Sequence, residues 1–110
     1  MELADDPATA EWVAALAGPE ALEWDSGNST KSGVKHGFAI ADVESIFAGP
    51  VLVAGRIVER ANSEPRYLLL GVTADGRHAA LVFTRRGEKL RPISCRAMRR
   101  GEKERYDAER

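Results

Sequence analysis

The chain has 110 residues and a net charge of −1 at neutral pH, with 44% hydrophobic and 30% charged residues. This length suits one domain with a single core that buries about 65% of the surface of the unfolded chain. The small net charge conceals a very uneven distribution of charge along the sequence. Residues 1–25 carry seven acids and no base, whereas residues 85–110 carry ten bases and five acids. The basic end indicates either nucleic-acid contact or a solvated charged face.

Cysteine and histidine are too scarce for two common kinds of site. Cys95 is the only cysteine, so no internal disulfide is expected, and a reducing, cytoplasmic location is predicted. His36 and His78 lie far from Cys95 in sequence and give no spacing typical of a zinc site, so we expect no metal or other cofactor. The chain opens without a basic leader and has no apolar run of roughly 18–20 residues, which predicts neither export nor membrane contact.

Residues 1–20 are predicted to form an acidic extension with one short helix, ahead of a domain over residues 21–110. Asp6 and Pro7 are typical of a helix start, and Gly18 before a proline ends the helix. This acidic segment either lies against the basic part of the chain or is a loosely packed terminal helix. We favour the loosely packed helix.

Two more helices are predicted ahead of the sheet, after a short strand at residues 21–24. The first begins at Asp25 or Ser26. Its last turn carries Lys35 and His36, where the helix dipole favours cations, so these side chains are either capping groups or RNA contacts. The second helix carries no base, which argues against a DNA-reading helix-turn-helix. Its apolar residues lie on one face at Ile40, Val43, Ile46 and Phe47.

The hydrophobic period changes to two after residue 50. Four strands are predicted at roughly residues 51–59, 66–73, 78–85 and 89–96. Turn signals at residues 75–76 and 87–88 join the last three strands into an antiparallel meander, and their long apolar runs predict that both faces are covered. A closing helix of mixed charge is predicted over residues 99–110. The predicted fold class is therefore α+β, with N-terminal helices on an antiparallel sheet of four main strands and a C-terminal helix.

Short motifs are spread from the first predicted strand to the closing helix. They are Trp24-Asp25, Gly27-Asn28, Lys31, Lys35-His36-Gly37, Glu64-x-Arg66, Gly76-Arg77, Phe83-Thr84, Arg86-Gly87, Arg91, Ile93-Ser94, Arg96, Met98, Arg100, Glu102 and Tyr106. Over roughly residues 21–107 the chain resembles the BrnT family of ribonuclease toxins from bacterial type II toxin-antitoxin modules. Residues 1–20 have no recognisable counterpart in that family.

The resemblance implies a small RelE-like domain that cleaves RNA, inhibits translation and growth, and is neutralised by a cognate antitoxin. The implied antitoxin is a BrnA-like ribbon-helix-helix protein in a heterotetramer of two toxins and two antitoxins, with DNA contacted only through the antitoxin. Ser32, Ala39 and Lys103 depart from the family, which usually has Asn, a helix-capping Ser and Arg there. The missing cap at Ala39 should cost about 1 kcal/mol.

The resemblance also suggests which residues act. Metal-independent RNA cleavage needs in-line attack by a 2′-OH, a proton acceptor, and cations at the phosphoryl oxygens. Arginine binds two phosphate oxygens at once and stays charged. Arg86 and Arg96 are predicted at neighbouring strand ends, where they converge on one phosphate with Arg66 as helper. Glu64, two residues from Arg66 and on the same side of the strand, is the candidate base or orienting group, or else belongs to a structural ion pair.

Other residues have two interpretations each. His36 is an alternative base, because histidine titrates near neutrality. Tyr106 either stacks on an RNA base or donates to phosphate, or it packs the closing helix against the sheet. Arg91, Arg99 and Arg100 are predicted to steer the RNA backbone by charge, unless they are merely solvated.

Three functions are compatible with these observations. The leading hypothesis is an RNA-cleaving toxin. The second is a catalytically inactive homologue that serves as the protein-binding half of an antitoxin–DNA autoregulatory complex. The third, a free-standing nucleic-acid-binding module, is poorly supported by the balanced charge and the few aromatic residues. Expression without antitoxin separates the first two, because only an active toxin stops growth and cuts mRNA.

Overall fold

The computed structural model describes residues 1–16, 18–29, 37–59 and 64–109. They form a five-stranded antiparallel sheet in the order β1-β2-β3-β4-β5 with helices on both faces. The strands are β1 Leu3–Ala4, β2 Leu52–Ile57, β3 Tyr67–Val72, β4 His78–Arg86 and β5 Lys89–Ala97. The predicted α+β class is confirmed. The sheet has one strand more than predicted, because Leu3 and Ala4 pair with Ile57 and Arg56 at the edge of β2.

Within the described ranges, three helices flank the sheet close to their predicted positions. They are α1 Pro7–Ala14, α2 Ile40–Ile46 and α3 Arg100–Glu109. Helix α1 begins as predicted, since Asp6 Oδ1 accepts the N–H of Thr9 at 3.0 Å. It is not loosely packed, because Val13 is 5% exposed in the core and β1 ties the N-terminus to β2. Among the described helices, none is both long and apolar enough to cross a membrane.

Both faces of the sheet are buried, as the long apolar runs predict. On one face, Leu69, Leu81 and Phe83 pack with residues of α1 and α2; we call it the α1/α2 face. On the other, which we call the α3 face, Leu68, Leu70 and Ala80 pack with Tyr106 of α3. Helix α2 approaches β3 so closely that a Cβ at Gly71 would overlap Ile46 Cγ2. The two clusters bury both faces of the sheet, and the candidate functional site described below lies at the ends of the strands.

The connection between α1 and α2 differs from its prediction. In place of a strand at residues 21–24, a 3₁₀ turn at Pro19–Ala21 leads into a single parallel bridge between Leu22 and Leu90. Of the helix predicted to begin at Asp25 or Ser26, the structure describes only the first residues, 26–29, which form a turn. The predicted residues Lys35 and His36, together with Ser32, fall within residues 30–36, outside the described part of the chain.

Helix α2 begins without a side-chain N-cap. Ala39 occupies the cap position in an extended conformation (φ −78°, ψ 168°). Its carbonyl oxygen accepts the Val43 N–H, but it has no side-chain oxygen to accept a further N–H of the first turn. Asp42 compensates partly, because its Oδ2 accepts the Ala39 N–H at 2.9 Å and pairs with Arg77 at 3.0 Å. A side chain with an oxygen at position 39 could therefore accept one more N–H of the first turn of α2.

The substitution Ala39→Ser should raise the free energy of unfolding by about 0.5–1 kcal/mol, because a serine hydroxyl can accept the N–H of the first turn. Ala39 is exposed, so the hydroxyl costs no burial. Urea denaturation of the two proteins measures the difference. The matched control is Ala41→Ser inside the same helix, which should lower stability by a few tenths of a kcal/mol through helix propensity. Equal changes at both positions would contradict the capping argument.

Candidate functional site

Five charged side chains form a continuous chain of ion pairs where the β4–β5 turn ends the sheet. We call this group the hairpin-end cluster; in order of contact its members are Glu64, Arg86, Glu23, Arg91 and Asp25. It joins the segment before β3, the last residue of β4, the third residue of β5 and the turn that follows the Leu22 bridge. The strand pairing brings these distant parts of the sequence together.

Glu64 and Arg86 form a two-pronged pair at the exposed side of this cluster. Arg86 Nε donates to Glu64 Oε2 at 2.8 Å and Arg86 Nη2 donates to Oε1 at 3.1 Å. These bonds lower the pKa of the Glu64 carboxyl below its ordinary value of 4.5 and raise that of the Arg86 guanidinium. Both side chains remain nearly half exposed. Glu64 is therefore an ionised acceptor at neutral pH, held by Arg86 and not, as predicted, by Arg66.

One nitrogen of the Arg86 guanidinium makes no hydrogen bond to the residues that the structure describes. This nitrogen, Nη1, lies 3.9 Å from Glu23 Oε1, beyond hydrogen-bonding distance. Arg66 is exposed at the same end of the sheet, immediately before β3, and no carboxylate in the described ranges forms an ion pair with it. This end of the α3 face thus offers two guanidinium groups and one carboxylate to an approaching anion.

Arg91 is largely buried and binds two carboxylates. Its Nη1 and Nη2 donate to Asp25 at 2.8 and 3.1 Å, and Nη1 also donates to Glu23 at 3.1 Å. The side chain is 13% exposed, and the bonds lower the pKa of Asp25. Beside it, the buried Asn28 amide donates to the carbonyl oxygens of Pro92 and Glu23 at 2.8 and 2.9 Å. Both terminal nitrogens of Arg91 are therefore engaged in holding the turn at Asp25 against β5.

Arg96 lies at the other end of the sheet, which overturns the predicted convergence with Arg86. Arg86 pairs with Lys89, whereas Arg96 pairs with Ala80, six residues earlier on β4. At about 3.3 Å per residue the two arginines are roughly 20 Å apart along the strand. They cannot bind one phosphate together, because an antiparallel hairpin places the end of one strand beside the start of the other.

Arg96 fastens helix α3 to the sheet. Its Nη1 and Nη2 donate to the two oxygens of Glu102 at 2.7 and 2.8 Å, and Glu102 Oε1 also accepts the N–H of Arg99 at 2.8 Å. Glu102 thus closes the first turn of α3 and pairs with β5 at once. Less than a fifth of either side chain is exposed. The bonds lower the pKa of Glu102 from its ordinary 4.5.

Replacing Glu102 with Gln should lower the free energy of unfolding by about 2–3 kcal/mol at pH 7, because it leaves the largely buried Arg96 charge uncompensated. The pKa of Glu102 is lower in the folded than in the unfolded chain. Its contribution is therefore complete above about pH 4.5 and is lost as the pH falls further. Urea denaturation from pH 7 to pH 3 should show the gap between wild type and variant closing below that value.

The control for this prediction is Glu104→Gln on the same helix. Glu104 pairs with Arg100 at 3.2 Å, but both side chains are largely exposed, so this change should cost less than about 0.5 kcal/mol. A Glu102→Gln loss no larger than the control loss, or one that persists unchanged at pH 3, would show that the Arg96–Glu102 pair does not hold α3.

The remaining predicted contacts lie on α3. Tyr106 is 1% exposed and its hydroxyl donates to Pro50 O at 2.8 Å, so its predicted RNA contact is corrected to a packing role. Arg99 and Arg100 are exposed at the first turn of α3, on the Arg96 side of the molecule and not at the hairpin-end cluster. They are placed to attract an RNA backbone by charge, which stays a prediction.

Sequence reasoning missed the acidic partners of this site. Asp25, predicted as a possible helix start, accepts the Gly27 N–H through Oδ1 at 2.7 Å and the Ser29 N–H through its carbonyl oxygen at 2.9 Å, as a capping residue does. Nothing in the sequence indicates that the same carboxylate pairs with Arg91. Burial raises the pKa of the Cys95 thiol to about 12, so it is a core residue. In the described ranges, no three or more His, Cys, Asp or Glu side chains are grouped to hold a metal ion.

One comparison with known proteins gives a match. A family model described as a ribonuclease toxin, BrnT, of type II toxin-antitoxin systems matches residues 24–102, more than half of the chain. The matched region contains the whole hairpin-end cluster except Glu23. A search of curated proteins found no match.

Proposed function

Because the chain belongs to the BrnT family of type II toxin-antitoxin ribonuclease toxins, we propose that it cleaves RNA at the hairpin-end cluster without a metal ion. Cleavage of messenger RNA then inhibits translation and growth. Family membership carries the ribonuclease class. The observation that supports the site is the Glu64–Arg86 pair beside Arg66, for which the described residues supply no ion-pair partner.

The geometry suits an attack by the 2′-OH on the neighbouring phosphorus. Glu64 is ionised and nearly half exposed, so it can accept the proton of the attacking hydroxyl. Arg86 Nη1 has only the long 3.9 Å contact with Glu23, and Arg66 has no ion pair within the described ranges, so both can bind the phosphoryl oxygens as negative charge gathers there. Arg86 in this scheme both orients the base and binds the phosphate.

Arg91 and Arg96 are assigned supporting roles in this proposal. Arg91 fixes the turn beside the cluster through Asp25, and Arg96 fixes α3 through Glu102. Arg99 and Arg100 provide salt-dependent attraction for RNA at the far end of the same face. Lys35 and His36 remain candidates for RNA contact, with His36 as the alternative base.

A type II toxin family implies a cognate antitoxin as partner. We assign this chain a BrnA-like antitoxin of the ribbon-helix-helix type, in a heterotetramer of two copies of each protein, with DNA contacted only through the antitoxin. We also assign the α+β domain to the RelE-like folds, on the basis of its helices packed against an antiparallel meander.

The test is expression of the chain alone and together with its antitoxin. Growth arrest with fragmented mRNA in the first case only is the expected result, and purified antitoxin-free protein should cleave RNA equally well with and without EDTA. Loss of cleavage in EDTA contradicts the metal-independent mechanism. Normal growth with intact transcripts favours the inactive homologue. The ion pairs of Arg86 with Glu64 and of Arg91 with Asp25 support that alternative, because they occupy both arginines within the protein.

A further inference from the structure

An open depression lies at the same end of the sheet as the hairpin-end cluster, on the α1/α2 face. Its volume is about 370 Å³, and it is lined by Pro65, Tyr67, Thr84, Arg85, Gly87 and Glu88. This lies at the lower end of the roughly 300–1,000 Å³ of small-ligand sites. The volume suits one flat ring system better than an extended ligand.

The depression and the Glu64–Arg86 pair occupy opposite faces of the same end of the sheet. Pro65 and Arg85, which line the depression, directly adjoin Glu64 and Arg86 in sequence, and successive residues of a strand point to opposite faces. Thr84 Oγ1 donates to Pro65 O at 2.7 Å and joins the two strand ends. An RNA strand that contacts Arg86 through a phosphate therefore reaches the depression by passing over the β4–β5 turn.

The lining combines flat surfaces with a hydrogen-bond acceptor. The Tyr67 ring is stacked on Phe83 with centroids 5.3 Å apart, which fixes its orientation. The Arg85 guanidinium lies 4.5 Å above the Trp12 ring and its Nε donates to Gly87 O at 3.1 Å. Both planes are held before any ligand arrives. Flat aromatic rings and guanidinium planes are the surfaces on which unpaired bases stack.

Glu88 supplies the selective group. It is exposed at the β4–β5 turn, and no cation in the described ranges forms an ion pair with it. A carboxylate accepts hydrogen bonds and donates none. Guanine offers two adjacent donors on one edge, N1–H and N2–H, whereas uracil offers one N–H between two carbonyl oxygens that repel a carboxylate.

We propose that this depression binds a base that flanks the cleaved linkage, and that Glu88 makes guanine the preferred base. The proposal rests on the proposed RNA cleavage and adds its sequence preference. Tyr67 and Arg85 hold the ring, and Glu88 reads the Watson–Crick edge. Phosphate binding at Arg86 remains independent of the base.

The test uses oligonucleotides with a single ribose, so that one linkage alone can be cut, and varies each flanking base in turn. Wild type should cut the guanine substrate faster than the uracil substrate by on the order of tenfold, the usual discrimination of a two-bond base contact. Glu88→Gln should bring this ratio close to one. Glu104→Gln, an exposed carboxylate on α3, should leave the ratio unchanged.

Two results overturn the proposal while leaving RNA cleavage intact: equal rates for all four bases, or an unchanged ratio in Glu88→Gln. If no substrate is cut, the proposed cleavage fails, and binding decides the subsite separately. Guanosine 3′-monophosphate should then shift the amide NMR signals of Gly87 and Glu88 in wild type, and uridine 3′-monophosphate should not. Identical shifts with both nucleotides, or none, overturn the guanine preference.

Discussion

Arg86→Ala should lower the rate of RNA cleavage by about 10²–10³, because it removes a donor that binds the phosphoryl oxygens where charge develops. The same change releases Glu64 from its two hydrogen bonds at 2.8 and 3.1 Å, so the base also loses its fixed position. The fold should survive, since both partners are nearly half exposed and such pairs contribute about 0–1 kcal/mol. Single-turnover cleavage of an RNA oligonucleotide measures the effect.

Arg105→Ala is the matched control for this experiment. Arg105 forms an exposed ion pair with Glu109 at 2.7 Å on α3, far from the hairpin-end cluster, and its removal should leave the cleavage rate within about twofold. Arg86→Lys keeps the charge but loses the planar fork, so it should recover only part of the activity. An Arg86→Ala protein that unfolds at the same urea concentration as wild type and still cleaves at the wild-type rate would remove Arg86 from the site.

Arg96 gives the opposite expectation. The sequence predicts that Arg86 and Arg96 are equivalent phosphate ligands. In the structure Arg96 lies about 20 Å from Arg86 along the strand and binds Glu102. Its loss should therefore act on stability through α3, and cleavage by the folded fraction should change little. Comparing the variants of the two arginines therefore distinguishes a residue that acts in cleavage from one that stabilises the fold.

The elements that depend on local sequence were predictable. Asp6 and Pro7 set the start of α1, and the period-two apolar runs set β3 and β4. The short β1 was not predictable, because two residues without a turn or a periodic pattern carry no signal until they meet β2 some 50 residues later. Its pairing decides that the N-terminal segment packs on the domain.

The charged residues of the candidate site could be picked out from the sequence, but the ion pairs among them could not. The spacing of Glu64 and Arg66 suggested an ion pair between them, whereas the β3–β4 register brings Arg86 to Glu64 instead. The predicted convergence of Arg86 and Arg96 was wrong, although the sequence held the reason: a turn at residues 87–88 already places Arg96 opposite the start of β4. What the sequence lacks is the long-range pairing of Asp25 with Arg91.

Glu64→Gln should lower the cleavage rate by about 10², the lower end of the usual contribution of a general base. The lower end applies because Arg86 depresses the pKa of Glu64 below 4.5, which makes the carboxylate a weak base although it is always ionised at neutral pH. Glutamine keeps the shape and one acceptor for Arg86, so the loss reports proton transfer. The measurement is the single-turnover rate at pH 7.

The pH dependence distinguishes Glu64 from His36 as the base. A base must be deprotonated, so with Glu64 in this role the acid limb of the rate lies below about pH 4.5, and the rate changes little between pH 7 and pH 5.5 on this account. A histidine that titrates near 6.5 would leave only about one tenth of the rate at pH 5.5. A wild-type acid limb near pH 6.5 that vanishes in His36→Gln, together with full activity of Glu64→Gln, would assign proton transfer to His36 and leave Glu64 as a partner that only orients Arg86.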